Sequence, residues 1–215
     1  MAVVVIGGHS RNVGKTSVVA GVIAALPSYN WTAFKVTQFG HGRCSLNGKP
    51  CQCATVDHAW AMTEEKDRSG KSDSSRFLTA GAKHSYWVRS AVGKLSEAMP
   101  AIERRLNEAE NAILESNSIL KFIQPDLYIS VLDPAVEDFK NSARQYLSRA
   151  DALIVHKKCG HQNGFNQNGE NGSWRNVLLK LKHLPVFSIH EPDYVTHQLA
   201  EFVEKRLNAT VGGRG

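Results

Sequence analysis

The chain has 215 residues, of which 42% are hydrophobic and 21% charged, proportions that suit a folded α/β domain and exclude a disordered or fibrous chain. Its net charge of +6 favours anionic ligands, but the basic residues are scattered with no aromatic-basic stripe, so nucleic acid is not an expected partner. No apolar run is long enough to cross a bilayer, and the opening Met-Ala leads straight into a strand without a basic region or cleavage site, so no membrane association and a cytoplasmic location are expected.

In chain order, Ala2–Ile6 (AVVVI) is a short continuous apolar run, the pattern of a strand buried on both faces. Lys15–Leu26 reads as a helix stopped by Pro27, and Trp31–Val36 as a second strand. The polar stretch Thr37–Lys71, rich in Gly, Cys and His, shows no period and reads as an insert. Ser72–Ala82 is expected to be a helix capped by Ser72 or Asp73. His84–Val88 reads as a strand, Lys94–Ala109 as an amphipathic helix, and Asn111–Glu115 and Asp126–Leu132 as strands. A helix over Val136–Ser148 and a strand over Asp151–His156 follow. Gly160–Gly172 reads as a loop, Trp174–Leu181 as a helix, Val186–His190 as a strand and Tyr194–Leu207 as the closing helix before a frayed VGGRG tail. Strands alternating with helices imply right-handed crossovers and a parallel sheet covered on both faces. The expected fold is a three-layer α/β domain over residues 1–215, with a mainly parallel sheet of about seven strands and a Cys/His-rich insert at residues 37–71.

The chemistry is concentrated in GGHSRNVGKTSVV, Gly7 to Val19. The usual phosphate loop is G-x-x-x-x-G-K-S/T between a strand and a helix. Counting back from Gly14-Lys15-Thr16, the leading glycine belongs at position 9, where His9 stands, and Gly8 comes one residue early. The strand–turn–helix context still makes Gly8, His9, Ser10, Arg11, Asn12, Val13, Gly14, Lys15, Thr16 and Ser17 a candidate nucleotide loop. Backbone N–H groups and the helix dipole favour an anion there. Lys15 is the candidate for the β- and γ-phosphates, and the Thr16 hydroxyl for Mg²⁺. Glu115, at the end of a strand, stands where a Walker-B-type acid holds Mg²⁺, and Asp73 is a second candidate acid near the metal. Arg76, one turn beyond Asp73, is a further phosphate candidate.

The extra loop residue resembles the loop of dethiobiotin synthetases and cobyrinic acid amidases. The stretch DSSRFLTAGA, Asp73 to Ala82, together with Lys35 at the end of the second strand, resembles the MobB family, accessory proteins of molybdenum-cofactor biosynthesis. Asp73, Ser74, Arg76, Ala80, Gly81 and Ala82 match that family's helix residue by residue. Glu115 matches its strand-end acid, although E-S-N stands here in place of E-G. The resemblance covers residues 1–40 and 72–117. It implies the P-loop NTPase fold, binding of GTP with Mg²⁺ and its slow hydrolysis, a role in metal-cofactor biosynthesis, and a partner protein or a second copy of the chain as partner. Guanine selection usually uses N-K-x-D after a late strand. His156-Lys157-Lys158-Cys159 has the lysine alone, so GTP and ATP both stay open. A small-molecule kinase or ligase of dethiobiotin-synthetase type, and a non-catalytic zinc-containing partner-binding module, are the alternatives.

The insert carries Cys44, Cys51 and Cys53, flanked by His41 and His58. Three thiolates and one imidazole would close a tetrahedral zinc site, with His41, His58 or the distant Cys159 as fourth ligand. An Fe–S cluster, a redox-active thiol pair and unbound cysteines are the competing readings.

Overall fold

The computed structural model describes residues 1–39, 59–156 and 181–212. Among these, eight strands form one sheet in the order β3-β4-β2-β5-β1-β6-β7-β8. They are β1 (Val3–Gly8), β2 (Trp31–Phe39), β3 (Trp60–Glu64), β4 (His84–Ala91), β5 (Asn111–Glu115), β6 (Leu127–Leu132), β7 (Ala152–His156) and β8 (Val186–Ile189). Every neighbouring pair is parallel except β3 and β4. The described α-helices are α1 (Lys15–Ala25), α2 (Asp73–Thr79), α3 (Leu95–Asn107), α4 (Asn141–Tyr146) and α5 (His197–Gly212).

The sheet has a core on each face, which explains the unbroken apolar strands. Successive side chains of a strand point to opposite faces. Val4 and Ile6 of β1 therefore join Val18, Val22 and Ile23 of α1, Phe77 of α2 and Leu199, Val203 and Leu207 of α5. Val5 faces the other way, toward Leu95, Met99, Ile102 and Leu106 of α3 and Tyr146 of α4. In α3 the buried residues Leu95, Ala98, Met99, Ile102 and Leu106 recur at helical spacing and form one apolar stripe. The α/β, three-layer expectation holds.

Two local expectations are corrected. The stretch 37–71 is not irregular throughout. Thr37, Gln38 and Phe39 continue β2, and Trp60–Glu64 forms β3, a strand beyond the seven expected, antiparallel along β4. An edge strand needs only one partner, and the part-buried Trp60 and Met62 pack onto the α3 side of the core. The expected helix over 136–148 starts late, at Asn141, and ends in a 3₁₀ turn over Leu147–Arg149. Residues ahead of it are tied to the loop after β1: the Lys140 N–H donates to the His9 carbonyl at 2.9 Å, and the Ser10 hydroxyl to Asp138 at 2.7 Å. Those contacts override the local helical period. The loop expected at Gly160–Gly172, most of the helix expected at Trp174–Leu181, and the whole cysteine set lie outside the described residues.

Strand β1 sits between β5 and β6, while the chain leaving β1 passes through α1 to β2, beyond β5. The connections thus depart to opposite sides at the carboxyl ends of the central strands. Open α/β sheets bind ligands in the crevice at such a point.

Candidate functional site

The loop from Gly8 to Gly14 lies at that crevice, and a cleft of about 940 Å³ opens over it. Its backbone is held by groups distant in sequence. Asn117 accepts from the Gly8 N–H at 3.0 Å and donates to the Gly8 carbonyl at 2.8 Å. A Cβ on Gly7 would lie 2.2 Å from the Asn117 oxygen, so that approach needs glycine. Asn12 and Gly14 take left-handed backbone, φ 55° and 83°. Gly14 is the N-cap of α1, and a Cβ there would meet Tyr194 at 2.7 Å. Arg11, Asn12 and Gly14 of this bend and the first residues of α1 line the cleft, and a helix N-terminus in that position favours an anion.

Lys15 is part-buried, and its ammonium donates to the Ser10 carbonyl at 2.5 Å. Burial lowers its pKa to about 8, although the Glu115 carboxylate pulls the other way. Thr16 donates to the Glu115 carboxylate at 2.8 Å. The register of β2 against β5 places Lys35 beside Glu115, and the Lys35 ammonium reaches Glu115 at 2.5 Å and Asp73 at 2.7 Å. Burial works against the Lys35 charge, but the two carboxylates outweigh it and raise its pKa. Ser72 caps α2 by accepting from the Ser75 N–H, which points Asp73 at the cleft, and Arg76 donates to Ser17 at 2.9 Å.

Most of the expected residues converge. Arg11, Asn12, Gly14, Lys15, Thr16, Ser17, Asp73, Arg76 and Glu115 all line the cleft. His9 does not. Its ring is fully buried, 3.1 Å from the Val136 carbonyl and 5.3 Å from the Phe139 ring, and burial lowers its pKa. The residue in the usual glycine position thus braces the loop from behind. Cys44, Cys51, Cys53, His41 and His58 lie outside the described residues. Among the described ones no cluster of three or more His, Cys, Asp or Glu could hold a metal.

Lys140, Tyr194, Gln38, Trp87 and Ser118 also line the cleft, and none carries a motif at sequence level. Burial and the nearby Arg11 lower the Lys140 pKa. His156, where a base-selecting motif would begin, lies 3.0 Å from the Val13 carbonyl and packs edge-on against Tyr194.

No protein-family model matches the chain, and no curated protein matches it. Among solved structures it is similar to HypB from Helicobacter pylori, determined in complex with nickel, with TM-score 0.52 and 14% identity over 96% of this chain and 87% of that one. It is also similar to the hydrogenase maturation factor HypB from Archaeoglobus fulgidus, with TM-score 0.51 and 10% identity over 96% of this chain and 91% of that one. At these identities the likeness is one of fold, and the fold is that of P-loop NTPases. It does not reach the finer resemblance to the MobB family.

Proposed function

We propose that the chain is a P-loop nucleotide-binding protein that takes up GTP or ATP with Mg²⁺ and hydrolyses it slowly. One observation carries this reading: a glycine-bent loop at the carboxyl end of the central strand leads into α1, with Lys15, Thr16 and Glu115 gathered at its mouth. Loop amides and the α1 dipole would hold phosphate oxygens. Lys15 would exchange the Ser10 carbonyl for the β- and γ-phosphates, and Arg76, Arg11 and Lys140 add positive potential. The Thr16 hydroxyl with the Glu115 and Asp73 carboxylates is a set of hard oxygen donors that fits Mg²⁺. When bound, Mg²⁺ neutralises charge on the phosphates. The part of this chain is to place those oxygens, orient the phosphates and limit water.

The finer proposal is a MobB-like role in molybdenum or other metal-cofactor biosynthesis, with a partner protein or a second copy of the chain. Its support is the DSSRFLTAGA stretch, whose Asp73 and Arg76 both face the cleft. A zinc site of Cys44, Cys51, Cys53 and His41 or His58 is proposed from sequence alone. The cleft also runs past the loop to Gln38, Trp87 and Ser118, which favours a second reading as a small-molecule kinase or ligase with an acceptor bound there.

The test is Lys15→Ala measured with labelled GTP and labelled ATP. Loss of binding is expected, because the cation paired with the phosphates is gone. Wild-type binding of both nucleotides by the folded variant would overturn the assignment.

A further inference from the structure

Among the cations lining the cleft, Lys35 differs in where its charge sits. Its ammonium lies 2.5 Å from Glu115 Oε1, 2.7 Å from Asp73 Oδ2 and 3.3 Å from Thr16 Oγ1. These oxygens are the donor set assigned above to Mg²⁺. A lysine ammonium is a compact charge with three N–H donors, and here it meets three oxygens. Glu115 is 3% exposed and cannot rely on water for neutralisation. A divalent ion and the Lys35 ammonium therefore compete for the same place.

We propose that Lys35 is an exchangeable stand-in for the divalent cation: its ammonium holds the Thr16, Glu115 and Asp73 oxygens in the protein alone and withdraws when a divalent ion enters. The inference rests on the nucleotide-site reading and deepens it. The long lysine stem reaches the cleft from β2, so withdrawal needs only side-chain rotation. Displacing a charge-paired ammonium opposes entry of the ion alone. A triphosphate changes the balance, because it offers the ion further oxygens and offers Lys35 a new anionic partner. Metal and nucleotide then bind together, and the metal site resists filling by free ions.

The probe is Mn²⁺, with free ion read by electron paramagnetic resonance on the full chain without nucleotide. Lys35→Met keeps much of the stem and removes the charge. It should bind a single Mn²⁺ about tenfold or more tightly than the wild type does, the scale expected when one competing charge is removed. Adding Glu115→Gln should abolish that gain. Equal Mn²⁺ affinity in folded Lys35→Met and wild type would overturn the proposal. If Lys35→Met does not fold, the wild type gives the answer. Acetylation of Lys35, followed by peptide mass spectrometry, should be slow in the protein alone and accelerate as Mn²⁺ is titrated to saturation. An unchanged rate would refute exchange. These measurements exclude nucleotide, whereas the Lys15→Ala test depends on it, so either reading can fail without the other.

Discussion

Lys15 and Lys35 are two part-buried lysines under the influence of the same carboxylate, Glu115, yet their charges are held in opposite ways. Lys35 has two anionic partners at ion-pair distance, and its pKa rises. Lys15 has a backbone carbonyl as its close partner, and burial brings its pKa down to about 8. A cation that loses its proton near pH 8 makes phosphate binding pH-sensitive. Lys15 is charged below that value and neutral above it, while a triphosphate with Mg²⁺ bound stays ionised across that range. Nucleotide affinity should therefore fall between pH 7 and pH 9, checked by equilibrium titration with a labelled triphosphate. Lys15→Ala should bind weakly with a flat profile over the same range. An affinity that climbs with pH in the wild type would contradict the role given to Lys15. For folding the sign is the reverse. The folded pKa lies below the ordinary 10.5, so the unfolded chain holds more protons between the two values and Lys15's contribution to stability rises with pH across that window.

At the scale of elements, the loop after β1 is built by its neighbours as much as by its own residues. Asn117, just beyond β5, makes two hydrogen bonds to Gly8, and the stretch before α4 adds contacts to His9 and Ser10. Asn117→Ala should leave the Gly8 N–H and carbonyl without these partners and lower stability by about 1–3 kcal/mol, the usual cost of a buried polar group left unpaired. Chemical denaturation measures that loss. Nucleotide affinity should fall as well, because the loop amides are no longer held in one arrangement. A variant with wild-type stability and affinity would show that the loop holds its shape unaided. Asn117 stands where the MobB resemblance ends, in E-S-N, and nothing local in the sequence marks it as a loop partner. The resemblance led to Asp73, Arg76 and Glu115, and all three line the cleft.

For the molecule as a whole, the framework among the described residues is one eight-stranded sheet with a core on each face. The cysteines proposed to bind zinc fall between β2 and β3 along the chain. Elemental analysis should find about one zinc per chain, as expected for a closed tetrahedral site. Chelation should remove it with little change in the far-ultraviolet circular dichroism of the sheet, since only the edge strand β3 follows the insert directly. Cys51→Ser should lose the metal. Zinc-free protein prepared under reducing conditions with zinc supplied, or collapse of the sheet on chelation, would count against this site.

The sequence by itself determined what is contiguous along the chain. Five apolar residues, a glycine turn and Gly14-Lys15-Thr16 specify strand, loop and helix because their interactions are local. The apolar run NAILE ends on a carboxylate, which puts Glu115 at the mouth of a parallel sheet. Tertiary structure decided what meets across the sheet. The pairing of Lys35 with Glu115 comes from the register of β2 on β5, between residues 80 apart in the chain. The inward turn of His9, the delayed start of α4 and the antiparallel β3 arise in the same way. Each is a long-range contact that outweighs a local preference, and no period or spacing in the sequence encodes it.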